Sequence, residues 1–396
     1  MVQLTPPGRG AVATLLIEGP GAEELVQTRF QAKSGRPLAS HPPDRLVFGH
    51  FALPVGPEPD VPPGEEVVVR RHSPESVELH CHGGFAALSL IQKALAEQGA
   101  RIVGWQDWVR EHHADPITAA AWLALAGART EQTAMILLEQ YQGALRRAIA
   151  AVQQALASGD ASAALGQLQN LLVQAPTGLH LVEPWQVVLA GPPNVGKSSL
   201  INALLGYQRA IVHPTPGTTR DVVTAITALE GWPVELSDTA GLRESAEVIE
   251  QAGVALAHQR LAVADLVVLV FDQSQPWTEA DESLVAAQPA ALVVFNKADL
   301  PSPAGLARPS GLATSAIKGQ GIEPLIHAIV QRLVPQPPAP GTAVPFTAEQ
   351  VHLLQTAQIA AEHGDFPTAT AVLEQLWDGC LPKQKKNAKS CLDSSS

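Results

Sequence analysis

Residues 185–206 read WQVVLAGPPNVGKSSLINALLG, and this stretch decides the fold. An apolar run ends at Gly191, four residues separate it from Gly196, and Lys197 and Ser198 follow at once, ahead of a helical pattern. That is the spacing of a phosphate-binding loop set between a strand and a helix. The glycines let backbone N–H groups along Asn194, Val195, Gly196, Lys197, Ser198 and Ser199 close around phosphates at a helix N-terminus. Lys197 supplies a point charge to the outer phosphates, and the Ser198 hydroxyl can ligate Mg2+. A Gly-bearing turn can match such a pattern by chance, but the flanking strand and helix make that rare.

Downstream, DTAG at 238–241 follows the strand-like PVELS, which puts Asp238 at a strand's C-terminal end, where it can hold Mg2+ through water. Thr239 and Ala240 lead to Gly241, whose backbone N–H can meet a γ-phosphate. The next residue is Leu242, at a position where a polar side chain often orients the attacking water. A leucine cannot orient water, so hydrolysis needs a group elsewhere. VVFNKAD, 293–299, ends another apolar strand with Asn296, Lys297 and Asp299. The Asp299 carboxylate can accept from guanine N1–H and the exocyclic amine, donors that adenine does not present there. Leaving that carboxylate unpaired costs on the order of 10⁴-fold in discrimination. GTP, rather than ATP, is the expected nucleotide. TSAIKG, 314–319, follows a further strand, and the Ser315 and Ala316 backbone can complete the base pocket.

Around this centre the 396 residues suggest several domains. Residues 1–104 mix β-branched runs such as EEVVVR and SVELHC with one helix, FAALSLIQKALAEQG, and predict a small α/β domain. Residues 105–182 are rich in Ala, Leu and Gln at helical spacing. From 183 to 338 apolar runs alternate with helical stretches in the rhythm of a parallel sheet. VPQPPAPGTAVP then reads as a linker, and 339–396 return to helix and a tail. The fold class is α/β plus α: a P-loop GTPase domain inserted into a helical domain and preceded by a small α/β domain.

Composition excludes several classes. A net charge of −12 argues against a broad nucleic-acid-coating surface, although a local basic patch could still bind a structured RNA. No apolar run reaches the roughly 18 residues of a membrane span, and no secretory signal precedes AVATLLI, so a soluble, cytoplasmic protein is expected. Cys81, Cys380 and Cys391 form neither a disulfide framework nor a zinc pattern. His80 and His82 alternate onto one strand face with Cys81 on the other, and two histidines do not make a zinc site.

The combination of GPPNVGKSSLINAL, AIVHPTPGTTRDVV, DTAGLRE, NKAD and SAIKGQGI resembles the translation-factor-related GTPases. With LTPPGRGAVATLLI near the N-terminus and VELHCHGG at 77–84, the chain resembles the tRNA-modification GTPase family called TrmE or MnmE. The resemblance implies a folate-binding, dimerising N-terminal domain, a helical domain and an inserted GTPase domain. It implies a homodimer that binds GTP and GDP and works with a flavoprotein partner on the wobble uridine of certain tRNAs. It also implies K+ activation through pairing of GTPase domains. Carried over residue by residue, Asn194, His213, Thr215 and Thr218 would hold K+, and Thr219 would join Ser198 on Mg2+. A fixed cation can replace an arginine finger by neutralising developing charge. Arg220 and Arg243 are the rival fingers, ranked lower because Asn194 and PTPGTTRD both fit the potassium scheme. The water-positioning carboxylate falls on Glu250, in preference to a reading of that residue as part of a solvated helix face, with Glu244 and Glu247 close by.

The pattern also breaks. Where the family's reduced-folate site uses an arginine, a glutamate and a lysine, this chain has Leu16, Glu78 and, by a weak alignment, Ala114 or Asp115. Only Glu78 survives, which puts folate binding in question. The family's C-terminal cysteine motif is missing from LWDGCLPKQKKNAKSCLDSSS, whose KQKKNAK run reads as a solvated tail. Leu16 and the altered C-terminus favour an alternative, a regulatory GTPase switch of the same fold that has lost folate binding and tRNA chemistry, while the retained Glu78 and the domain order favour the tRNA-modification reading. A ribosome-assembly GTPase of the wider class is a third possibility, and the TPPGRG and HGG landmarks speak against it.

Overall fold

A computed structural model of the chain describes residues 1–6, 8, 10–53, 64–113, 115–207, 224–238, 263–303 and 308–378. The chain divides into two compact units, residues 1–114 and 115–396. Among the described residues no helix is long and apolar enough to cross a membrane.

The N-terminal unit is built on six strands: β1 (Val2–Gln3), β2 (Val12–Glu18), β3 (Phe30–Ala32), β4 (Leu46–Ala52), β5 (Gly64–Ser73) and β6 (Ser76–His82). They pair antiparallel in the order β1-β2-β6-β5-β4-β3. Alternation sorts their side chains. On β6, Val77, Leu79 and Cys81 are buried, while Glu78, His80 and His82 take the other face. Helices α1 (Ala22–Gln27) and α2 (Phe85–Ala96) close the buried face, with Val26, Ile91 and Leu95 joining Leu15, Val69 and Leu79 in one core.

The GRG and HGG landmarks meet here. Gly83 donates its N–H to the Ala11 carbonyl at 3.1 Å, and Gly10 donates to the Gly83 carbonyl at 3.3 Å. A Cβ on Gly83 would stand 2.1 Å from the Gly10 oxygen, so only glycine fits this approach. Helix α3 (Trp105–His112) also belongs to this unit. Val109 is fully buried, and the Trp108 indole N–H donates to Glu18 of β2 at 2.7 Å. The compact N-terminal unit runs to residue 114 and includes α3, which is fastened to it.

The second unit begins with α4 (Pro116–Gly127), α5 (Glu131–Tyr141), α6 (Ala144–Ala157) and α7 (Ala161–Leu179). Asp115 caps α4 by accepting from Ile117 N at 3.0 Å, and Thr130 and Asp160 cap α5 and α7 in the same way. A second sheet follows, from β7 (Trp185–Ala190), β8 (Thr224–Leu229), β9 (Trp232–Asp238), β10 (Leu266–Asp272), β11 (Leu292–Asn296) and β12 (Leu312–Ala313). Its order is β12-β11-β10-β7-β9-β8, and every pair is parallel except the β8–β9 hairpin. All residues of β10 but the last are buried, as expected of a strand covered on both faces. Helices α8 (Lys197–Tyr207), α9 (Glu279–Ala287) and α10 (Ile322–Leu333) accompany this sheet.

The chain ends its described part with α11 (Ala348–Glu362) and α12 (Phe366–Asp378). Helix α11 packs on α7 and α12, and α12 on α6 and α4, so the segments before and after the sheet meet. Leu145, Leu168, Val187, Val268, Leu354 and Leu373 share one core. The Pro-rich segment read as a linker is pinned at its far end. Buried Gln140 donates from Nε2 to the Thr342 carbonyl at 3.0 Å and accepts at Oε1 from Val344 N at 3.1 Å. Cys380, Cys391 and the KQKKNAK run lie outside the described residues.

Candidate active site

The motif residues collect at the C-terminal ends of the parallel strands, where open α/β sheets bind ligands. The loop after β7 supplies the phosphate cradle. Asn194 is left-handed, with φ 62°, and its side chain is exposed. Gly196 has φ 93°, and a Cβ there would lie 2.5 Å from Asn296 Nδ2. This glycine is required both by its backbone and by the approach of the base-side loop. Lys197 opens α8, is buried, and donates from Nζ to the carbonyls of Gly191 at 3.2 Å and Pro192 at 2.9 Å. The ammonium is thus held over the loop, where phosphate oxygens would compete for it. Ser199, in the first turn of α8, is exposed.

Ser198 Oγ donates to Asp238 Oδ2 at 2.7 Å, and Asp238, the last residue of β9, is buried. Two hard oxygen donors brought together from the loop and a strand end suit Mg2+, which prefers oxygen ligands and keeps waters of its own. Ser198 would bind the ion directly and Asp238 through water.

The base-side loop is tied to the phosphate loop at consecutive residues. Asn296 Nδ2 donates to the Val195 carbonyl at 2.9 Å, while its Oδ1 accepts from Ala316 N at 3.1 Å and Thr314 Oγ1 at 3.4 Å. Lys297, left-handed at φ 63°, donates from Nζ to the Asn194 carbonyl at 2.8 Å and to Asp272 Oδ2 at 2.7 Å. Asp299 Oδ1 accepts from Ser315 Oγ at 2.6 Å, and this bond is the main cause holding the Asp299 carboxyl below its ordinary pKa. Asp299 therefore stays ionised, which is the state that accepts from guanine.

Sequence reasoning gave Ser315 a backbone role, and the structure gives its hydroxyl a further one. It passed over Asp272 and Thr314 altogether. A signal for Asp272 was present: it ends an apolar strand, and parallel register sets it beside Asn296. Burial raises the Asp272 carboxyl pKa, but hydrogen bonds from Lys297 and Ser274 outweigh it and hold the group below its usual value. His213, Thr215, Thr218, Thr219, Arg220, Thr239, Ala240, Gly241, Leu242, Arg243 and Glu250 lie outside the described residues.

A family model described as a 50S ribosome-binding GTPase matches residues 186–297, from β7 to Lys297. The tRNA modification GTPase MnmE of Chloroflexus aurantiacus is 35% identical over 83% of this chain and 80% of its own length. This chain belongs to the MnmE family. The MnmE of Geobacillus kaustophilus is 33% identical, covering 82% of this chain and 79% of its own, and that of Prochlorococcus marinus (strain MIT 9303) is 34% identical, covering 94% and 88%. With this membership and the matched GTPase domain, the chain is a GTP-hydrolysing enzyme.

Glu78, the residue that the resemblance put forward for a folate site, lies in the N-terminal unit and is already engaged. Its carboxylate faces His72 Nε2 at 3.2 Å, His80 Nε2 at 3.7 Å and Arg70 Nη1 at 3.8 Å. Leu16 is its direct partner across the β2–β6 ladder and is buried. His80 Nδ1 pairs with Thr14 Oγ1 at 3.0 Å, and His82 pairs with Glu65. Of the two residues aligned with the family's lysine, Asp115 is spent as the α4 cap and Ala114 lies outside the described residues.

Proposed function

We propose that this chain hydrolyses GTP under activation by K+ and by pairing of its GTPase domains within a homodimer, and that it uses the cycle in modifying the wobble uridine of tRNA with a flavoprotein partner. The observation that carries this reading is the geometry at Asn194. Lys297 fixes its carbonyl and its backbone is left-handed, which supports a role for its exposed side chain, at the phosphate loop, as a monovalent-cation ligand. His213, Thr215 and Thr218 would complete that shell, and Thr219 would join Ser198 on Mg2+. The domain reading is a GTPase domain inserted into a helical one, supported by the packing of α11 on α7 and of α12 on α4 and α6.

In hydrolysis, Lys197 and the loop N–H groups neutralise charge gathering on the phosphate oxygens as the bond to the leaving group lengthens. Asp238 keeps Ser198 in place. Glu250 orients the attacking water, the task that Leu242 cannot perform. GTP turnover is expected to be much faster in KCl than in NaCl, and equal rates would sink the potassium assignment. Glu250→Ala should lower kcat by about 10²- to 10⁴-fold with GTP affinity nearly unchanged. A drop in affinity of similar size would place Glu250 in binding instead.

One observation favours a second reading, a GTPase switch without folate or tRNA chemistry. Glu78 is held by Arg70, His72 and His80, and it faces Leu16 where the family has an arginine. Calorimetry with reduced folates separates the two: binding supports the first in its family form, and no binding supports the second. Wobble uridines that stay modified in a host lacking this chain would remove the first.

A further inference from the structure

We infer that Asp272 is a positioning residue for nucleotide retention: its carboxylate holds the Lys297 ammonium against the Asn194 carbonyl and so locks the base-side loop to the phosphate loop. The inference rests on the GTPase reading of the site. Three hydrogen bonds converge on Asp272. Lys297 Nζ donates to Oδ2 at 2.7 Å, and Ser274 donates to Oδ1 from its backbone N at 2.9 Å and from its hydroxyl at 2.7 Å. The Asp272 side chain is 9% exposed against 31% for Lys297, so the pair is shielded from water on the carboxylate side. A charge-assisted bond in that setting is stronger than an exposed ion pair.

The turn carrying Asp272 is fixed from both sides. Gln273 N donates to the Asn296 carbonyl at 2.8 Å, tying the turn to the base-side loop through the main chain. Arg308 donates from Nη2 to the carbonyls of Gln273 at 2.9 Å and Gln275 at 2.6 Å, and its guanidinium lies 5.4 Å from the centre of the Phe295 ring. Asp272 is thus a rigid anchor rather than a mobile surface acid. Lys297 is pulled from one end by this anchor and bonded at the other to Asn194. Both Asn194 and Lys297 are left-handed, a conformation that costs an L-residue energy unless its surroundings hold it. Loss of the anchor frees Lys297 to swing to solvent and lets both residues relax, which loosens the cradle at the point where base and phosphate recognition join.

The test is a double-mutant cycle on GDP release from the full chain, read with a fluorescent GDP analogue. Asp272→Asn preserves shape and the acceptor for Ser274 but removes the charge that holds Lys297, and it should speed release about tenfold or more. Lys297→Met should do the same. The double variant should release no faster than Lys297→Met alone, because the carboxylate acts through the ammonium. An unchanged release rate in Asp272→Asn, or a full additional increase on the Lys297→Met background, would overturn the assignment. Should Asp272→Asn fail to fold, the cycle is run with Asp272→Glu, which displaces the carboxylate without removing its charge, and the same non-additivity is expected. A wild-type chain that binds neither GDP nor GTP would overturn the nucleotide-site reading itself, a result distinct from an unchanged release rate in a chain that does bind.

Discussion

The two sheets handle their motif residues in opposite ways. In the parallel sheet the residues at strand ends reach across to loops distant in sequence, as Ser198 does to Asp238, Asn296 to Val195 and Lys297 to Asn194. In the antiparallel sheet Glu78 is met by Arg70 and His72 of the adjacent strand and by His80 of its own, and the matching position across the ladder is a leucine. Parallel strands all end on one edge, so their loops converge there and leave hydrogen-bonding groups directed at a ligand. A residue in the middle of an antiparallel ladder is flanked on both sides, and its charge is satisfied locally. A motif letter retained at a strand end thus carries more functional weight than one retained within a ladder.

The largest effect that can break this contrast lies at the base loop. Asp299→Asn should reduce discrimination of guanine over adenine nucleotides by on the order of 10⁴-fold, measured by competition binding. Retained selectivity would mean that the strand-end carboxylate does not read the base. In the N-terminal unit, by contrast, the landmark glycine is expected to matter for folding alone. Gly83→Ala drives a Cβ into the Gly10 carbonyl and should destabilise that unit by about 1–3 kcal/mol with no change in GTP turnover per folded molecule. Thermal unfolding followed beside GTPase assays distinguishes this from a catalytic role.

The smallest effect is a matter of pH. The Ser315 hydroxyl lowers the Asp299 pKa, so the ionised form persists as pH falls and is lost only below the usual carboxylate range. Ser315→Ala should raise that pKa and move the acid limb of GTP binding to higher pH, leaving affinity at neutral pH little changed. A titration whose acid limb does not move would show that Ser315 has no hold on the carboxylate.

Much of the site could be read from the letters. The phosphate loop, Asp238, Asn296, Lys297 and Asp299 are each legible because phosphate, Mg2+ and guanine demand particular residue types at fixed distances from a strand end. Asp272 was not legible as a partner, because its value comes from parallel register beside Asn296 and from the reach of Lys297 across 25 positions of sequence. The placing of α3 with the N-terminal unit was hidden for a similar reason: helical spacing says nothing about which body a helix joins, and contacts such as the Trp108 and His112 bonds to Glu18 and the burial of Val109 decide it. The pinned end of the Pro-rich segment depends likewise on Gln140, far away in the chain.

By itself the sequence determined the chemistry of the nucleotide site, since local spacing is enough to specify a loop that wraps phosphates and a carboxylate that reads guanine. Only the tertiary structure decided which of those groups hold one another and that Glu78 is engaged. Hydrogen bonds and ion pairs between distant segments depend on register and packing, and no local pattern encodes them.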